Sequence, residues 1–169
     1  NRGCVALTIT IACMIDEIMK KAGLSYELYL SDSQYDDRKT HEILIGDHKI
    51  EFNDCRYPIG ISLKNTIGTI IKNIVKGSDL NIFFKADYIL DIGQGDSFSD
   101  IYGFTRFNSI DRIHRIAHFL HIPYCILPQT IGPFKNYKVE HRAIKSISNA
   151  LYCMARDKQS YDYVVGKIP

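Results

Sequence analysis

Apolar residues recur along the chain with two alternating periods, and the alternation predicts its elements. In 3–22, Ile11, Ile15, Ile18 and Ala22 fall at i, i+4, i+7 and i+11, the spacing of one helical face, and Gly23 follows as a stop. The first half of this segment is apolar nearly all round, which places the helix deep in the protein. Residues 24–30 alternate apolar and polar as a half-buried strand does, 31–40 are polar loop, and 42–46 with 49–52 read as a short hairpin around Gly46-Asp47. A second helix is predicted over 61–75, with Leu63, Ile67, Ile70 and Ile74 on one face and Gly77 as its terminator. Residues 80–85 read as a further short helical turn.

From there the period switches regularly. Residues 88–92 form an apolar strand that runs straight into Gly93-Gln94-Gly95, and 96–107 form a loop. Asn108, with Asp111 three positions on, predicts the capped start of a helix that runs to His121. Pro123 ends that helix, 124–127 read as a buried strand, and 129–134 form a loop around Gly132-Pro133. A helix over 137–149, a strand over 151–155 and a final helix from the cap Asp157 to Val165 complete the series.

Strand, loop and helix thus repeat at intervals of about 30 residues, the length of a βαβ unit. Short strands, apolar on both faces and separated by helices, predict a parallel sheet covered on both sides. The fold class is therefore α/β, a Rossmann-like parallel sheet with helices on both faces. Asn1 is no initiator, and 168–169 follow directly on a helix. On this reading 1–169 is one domain of a longer protein, without its first strand and its C-terminal domain.

Composition narrows the classes. With 169 residues, 46% apolar, 24% charged and a net charge of +2, the chain has globular proportions and can bury a core. No basic stripe with interleaved aromatics is present, so nucleic acid is not an expected partner. The five cysteines, Cys4, Cys13, Cys55, Cys125 and Cys153, are odd in number and widely spaced, as buried thiols of a reducing compartment are. Residues 4–15 imitate a signal-peptide core, but no small-x-small cleavage site follows, and no run reaches the roughly 20 apolar residues of a membrane span. A cytoplasmic location is expected. His114, His118 and His121 lie on one helical stripe beside Ile110, Ile113, Ala117 and Leu120; with no cysteine or carboxylate at ligand spacing, they read as boundary histidines and no metal is expected.

In parallel sheets ligands bind beyond the carboxyl ends of the strands. Four loops would gather there: 1–3, 93–100, 129–134 and 156–160. Their glycines allow close backbone approach, their helix N-termini favour anions, and Arg156 can grip a carboxylate or phosphate bidentately. The third glycine of a dinucleotide fingerprint is missing after Gly95, which argues against a nicotinamide cofactor. Gly132-Pro133 reads equally as a plain turn, and Arg156-Asp157 as a helix cap with a surface ion pair.

Together these loops resemble the polysaccharide pyruvyl transferase family. The segment Asp87-Tyr88-Ile89-Leu90-Asp91-Ile92-Gly93-Gln94-Gly95, with Asp100 shortly after, is similar to its strand and glycine loop. Gln129-Thr130-Ile131-Gly132-Pro133-Phe134 is similar to its Q-S-I-G-P-F element. Arg156-Asp157-Lys158-Gln159-Ser160 matches R-D-x-x-S, and Asn1-Arg2-Gly3 with Ala6 is similar to its opening N-x-G-D-x-A loop. The resemblance spans essentially the whole chain. It implies one half of a two-domain, glycosyltransferase-B-like architecture that transfers pyruvate from phosphoenolpyruvate, as donor substrate and without a cofactor, to a saccharide or lipid-linked saccharide acceptor as a ketal.

On that resemblance Asp100 is the expected hydroxyl-orienting or general-base residue and Arg156 the anion-gripping one. Asn1, Gly3, Gly93, Gln94, Gly95, Gln129 and Gly132 are the expected substrate-binding positions. Cys4 stands where the family has an acidic residue, and Gln94 interrupts its glycine triplet. The alternatives are a nucleotide-sugar glycosyltransferase domain and a non-catalytic saccharide-binding domain. A lipid-linked acceptor would bring the protein to a membrane surface, although no amphipathic basic helix marks such a contact. The oligomeric state is not legible.

Overall fold

The computed structural model describes residues 2–31, 40–46, 48–55, 80–93 and 98–168. It divides into two compact units, Asn1–Lys85 and Ala86–Pro169.

The first unit holds helix α1 (Arg2–Ala22), strands β1 (Tyr29–Leu30), β2 (Thr40–Ile45) and β3 (His48–Asp54), and the short helix α2 (Leu80–Lys85). Helix α1 has nearly the expected bounds, but it is not deeply buried. Ala12 and Asp16 turn inward, whereas Val5, Met14 and Ile18 are exposed. Asp16 can do so because its carboxylate accepts from Tyr26 Oη and Lys20 Nζ, each at 2.7 Å, which offsets its loss of water. The phenol of Tyr26 is pushed up to about 12, by burial first and by Asp16 second. Of the strand expected over 24–30, only Tyr29 and Leu30 pair, in parallel with Asn53 and Asp54 of β3. The hairpin of β2 and β3 forms as expected and is longer than the sequence suggests, and the sheet order is β1-β3-β2. Glu42 and Glu51 face each other across it, and Lys49 bridges both at 2.8 and 3.4 Å. The helix expected over 61–75 lies outside the described residues.

The second unit is built from β4 (Ile89–Asp91), α3 (Phe104–Leu120), β5 (Tyr124–Gln129), α4 (Tyr137–Ser148), β6 (Tyr152–Ala155) and α5 (Lys158–Val165). The strands are parallel in the order β4-β5-β6, and a helix follows each strand in turn. This is a mixed α/β arrangement. Its core gathers Phe98, Phe107, Ala117, Ile126 and Ala143, all fully buried, with Tyr124 beside them. Burial of each large side chain contributes about 1.5–3 kcal/mol. Only β5 is covered on both faces. Leu90 of β4 and Tyr152 and Met154 of β6 remain exposed, contrary to the sheet fully covered on both sides that the apolar runs suggest.

The expected cap at Asn108 is also corrected. Helix α3 starts earlier, after Gly103 (φ 88°), because Phe107, fully buried in the core, extends its apolar face N-terminally, whereas Phe104 remains exposed. Asn108 and Asp111 are interior helix positions. Arg142 Nη2 donates to Asn108 Oδ1 at 3.0 Å and to Asp111 Oδ2 at 2.5 Å, and Ser146 Oγ donates to Asp111 Oδ1 at 2.6 Å. These bonds dock α4 on α3. The caps of the last two helices form through side chains: Asn136 Oδ1 accepts from Lys138 N–H, and Asp157 Oδ1 accepts from Ser160 N–H.

Candidate functional site at the carboxyl edge of the parallel sheet

Strand β4 ends at Asp91, whose Oδ1 accepts the Gly93 N–H at 2.9 Å. That bond closes a tight turn in which Gly93 takes the left-handed conformation (φ 60°). Strand β5 ends at Gln129, whose side chain is 1% exposed. Neither of its amide atoms has a hydrogen-bond partner among the described residues. The two strand ends meet: a Cβ built on Gly93 would lie 2.2 Å from Gln129 Oε1. Only glycine fits there, both for its backbone angle and for its bulk.

Beyond the strand ends the sheet continues as a single parallel bridge. Phe98 N–H donates to the Thr130 carbonyl at 2.7 Å, and Gly132 N–H donates to the Phe98 carbonyl at 3.0 Å. Gly132 is also left-handed (φ 67°), and a Cβ there would press on the Tyr163 ring at 3.0 Å. The loop after β6 is tied to the same place. Arg156 N–H donates to the Gln129 carbonyl at 3.1 Å, and Arg156 Nη2 donates to Thr130 Oγ1 at 2.6 Å. Thr130 Oγ1 in turn donates to Asp157 Oδ2 at 3.3 Å, and Ile131 N–H donates to Ser160 Oγ at 2.9 Å. The hydrogen bond from the Ser160 backbone holds the Asp157 carboxyl below the usual carboxylate range.

Between the two loops lies a cavity of about 140 Å³, bordered by Thr130, Gly132, Asp157, Ser160 and Tyr163. Tyr163 Oη donates to Glu140. Its phenol is pushed up to about 12, by burial first and by Glu140 second. Glu140, receiving Tyr163 and Lys167, is held below the ordinary range. A larger cleft of about 490 Å³ opens in the first unit beside Tyr29, Thr40 and Asp54. It carries none of the expected site residues, and its Tyr29–Glu27 and Thr40–Asn53 hydrogen bonds join its own walls. The smaller cavity is therefore the better candidate.

Asp100 stands on the loop between β4 and α3. Its two carboxylate oxygens accept the backbone N–H groups of Lys135 (2.9 Å) and Asn136 (2.8 Å). It therefore pins the segment that leads into α4, and each oxygen keeps a lone pair for a further donor.

Of the expected site residues, Gly93, Asp100, Gly132 and Arg156 lie on loops at the carboxyl edge of β4, β5 and β6, and Gln129, expected in a loop, is the last residue of β5. Direct contact joins Gly93 to Gln129, and Arg156 to Gln129 and Thr130. Asn1, Gln94 and Gly95 lie outside the described residues. Gly3 is in the first turn of α1, in the other unit, and is exposed. Thr130 and Tyr163 escaped sequence reasoning, since neither type stands out on a loop or a short helix. His114 was misread as a boundary residue: it is fully buried, with Nε2 2.8 Å from Asp91 Oδ2. Its place one turn after Ile110 and three residues before Ala117, on the apolar stripe, was the signal. His118 and His121 are exposed, and among the described residues no cluster of three or more potential ligands could hold a metal.

Parallel strands alternating with helices define a mixed α/β protein, and the glycines, buried amide and arginine at their carboxyl ends make that edge the candidate site. The sequence profile of the polysaccharide pyruvyl transferase family matches residues 10–167, nearly the whole chain, and the chain belongs to that family. Membership places it among transferases of polysaccharide biosynthesis and implies a saccharide acceptor. Comparison with the curated proteins and with the solved structures gave no significant match. Among the described residues no helix is long and apolar enough to cross a membrane.

Proposed function

We propose that the chain is the N-terminal, acceptor-side part of an enzyme that transfers pyruvate from phosphoenolpyruvate to two hydroxyls of one sugar, forming a ketal. The sugar belongs to a cell-surface polysaccharide or to its lipid-linked precursor, met in the cytoplasm at the membrane face. A second, C-terminal domain completes a glycosyltransferase-B-like pair and shares the phosphoenolpyruvate site. The observation that carries this reading is the family match, joined to the meeting of its motif residues Gly93, Gln129 and Arg156 at one sheet edge.

The chemistry assigns roles. Protonation of the enol methylene creates an oxocarbenium-like centre, and one hydroxyl adds to it. Phosphate then leaves, and the second hydroxyl closes the ring. Of the two hydroxyl hydrogens, one balances the new methyl group and the other the released phosphate. The reaction needs aligned hydroxyls and a stabilised anion more than a strong nucleophile. Arg156 grips a carboxylate or phosphate oxygen, as its planar fork suits. Asp100 orients a sugar hydroxyl with the lone pairs left over from its two backbone bonds. Gln129 offers its amide to the substrate, and Gly93, Gly95 and Gly132 let the backbone come close; Gln94, Asn1 and Gly3 are the remaining proposed binding positions.

The test is an assay of the complete enzyme with phosphoenolpyruvate and a panel of free and lipid-linked saccharides. Phosphate release that depends on saccharide, with acid-labile pyruvate on the product, is expected. No release from a folded enzyme across a broad panel would overturn the reading.

A further inference from the structure

Helix α3 buries a histidine whose hydrogen bond reaches the candidate site through one carboxylate. His114 has no exposed surface. Its ring stacks on Tyr124 (centroids 5.2 Å, planes 10° apart), and Phe98 meets it edge-on at 5.2 Å. These two contacts fix the plane of the imidazole, and hence the direction of Nε2. Asp91 Oδ2 lies 2.8 Å away in that direction. A carboxylate only accepts, so the hydrogen of this bond is on Nε2. Nδ1 is buried and has no partner among the described residues.

The second oxygen of Asp91 completes the path. Oδ1 accepts the Gly93 N–H at 2.9 Å, at the left-handed residue whose missing Cβ leaves room for Gln129. One carboxylate with a directional donor on each oxygen is fixed in position and in rotation. A buried polar pair is weak as a source of stability, because desolvation cancels much of the attraction. An aromatic hydrocarbon at 114 could make the same contacts with Phe98 and Tyr124. What a hydrocarbon could not do is hold Asp91 from behind.

We propose that His114 is a positioning residue which, through Asp91, sets the Gly93 turn against the buried amide of Gln129. The proposal rests on the functional reading above for its consequence in turnover, but its geometry can be tested without turnover. A donor at 114 keeps Asp91 Oδ1 on Gly93 N–H. Without it the carboxylate rotates, the turn relaxes, and the spacing between Gly93 and Gln129 is lost.

Three measurements test this. In the wild-type chain, long-range ¹H–¹⁵N NMR of the His114 ring should find hydrogen on Nε2 and a bare Nδ1; the opposite tautomer would overturn the proposal. His114→Phe keeps the ring contacts and removes the donor, while His114→Gln restores an amide N–H near the Nε2 position. Exchange of the Gly93 amide should quicken about tenfold or more in His114→Phe and return toward wild type in His114→Gln, with α3 and β5 amides unchanged. Unchanged Gly93 exchange in a folded His114→Phe chain sinks the idea. Should that variant fail to fold, Asp91→Asn carries the test: it sets an N–H₂ against one of two donors, so either the Gly93 amide exchanges faster or the His114 tautomer reverses, and a folded variant showing neither change would overturn the proposal. In the complete enzyme, kcat should fall about tenfold or more in His114→Phe with little change in KM, and His114→Gln should recover most of it. Faster Gly93 exchange with undiminished kcat would refute the link to turnover, whereas a wild-type enzyme with no transfer at all would count against the functional reading alone.

Discussion

Gly93 and Gln129 lie so close that a single methyl on Gly93 would stand 2.2 Å from the Gln129 carboxamide oxygen. The contact joins the ends of two neighbouring parallel strands, where ligands of such sheets bind. Gly93→Ala meets two penalties, the left-handed backbone angle and the overlap with a buried amide. Together they should cost about 2–3 kcal/mol of stability. Urea unfolding of Gly93→Ala, Gln129→Ala and the double variant separates them. The double variant should be more stable than the sum of the singles, because Gln129→Ala removes the overlap and leaves only the backbone penalty. Strict additivity would show that the two residues are not in contact.

Asp111 and Arg142 make the strongest polar link between α3 and α4. Asp111 is fully buried, while the Arg142 side chain retains 30% exposure. Arg142→Met leaves the carboxylate with Ser146 as its remaining partner in this group. The expected loss is about 3 kcal/mol, since removing one member of a buried pair strands the other. Thermal unfolding of the variant checks it, and a loss under about 0.5 kcal/mol would place the pair among ordinary surface contacts.

Asp100 has a structural duty as well as the chemical one proposed for it. Asp100→Ala removes the acceptor of the Lys135 and Asn136 amides, which water can reach, and should cost about 0.5–1.5 kcal/mol. Asp100→Asn keeps one acceptor oxygen and should cost less. If Asp100 also orients a hydroxyl, Asp100→Asn should lower turnover in the complete enzyme far more than its stability loss explains. Equal turnover at full folding would leave Asp100 with the loop-pinning role alone.

The cap of the last helix predicts an acid response. Asp157 is held below its ordinary value by the Ser160 backbone hydrogen bond. A depressed carboxyl stabilises the fold at pH above the unfolded value of about 3.9, and that contribution disappears as the pH falls through the folded value. Asp157→Ser keeps a capping oxygen without a titrating charge. The melting-temperature gap between wild type and this variant should therefore narrow below about pH 4, and a constant gap from pH 6 to pH 3 would contradict the assignment.

Burial pushes the Cys153 thiol up to about 11, so little thiolate is present near neutrality. Alkylation of Cys153 at pH 8 should run about a hundredfold slower than that of an unfolded thiol, and should speed up in denaturant. Mass spectrometry of the iodoacetamide-labelled peptide reads this directly. Labelling as fast as in the denatured chain would show that β6 opens readily.

Much of this was legible along the chain. The apolar periods placed α1, the hairpin and every element from β4 to α5 within a few residues, because helices and half-buried strands imprint their own spacing on local sequence. Where they misled, the cause was a local signal overruled by packing. Asn108 and Asp111 have cap chemistry, yet the buried Phe107 draws the helix start back to Gly103. The all-round apolar α1 suggested deep burial, yet its inward face carries Asp16. The motif residues Gly93, Asp100, Gly132 and Arg156 are legible as loop residues at strand ends, whereas Gln129, read as loop, pairs with Ala155 as the last residue of β5.

The sequence by itself determined the order of elements, the parallel α/β class of the second unit, and the family to which the chain belongs, since each of these is written in local spacing and short motifs. Only the tertiary structure decided which polar side chains turn inward. Asp111 is buried because Arg142 and Ser146, 31 and 35 residues away, reach it from the next helix. His114 is buried because Asp91, 23 residues earlier, ends a strand beneath it. A polar group survives in a core only where a partner meets it, and the meeting of distant residues is a property of the fold, not of the local pattern.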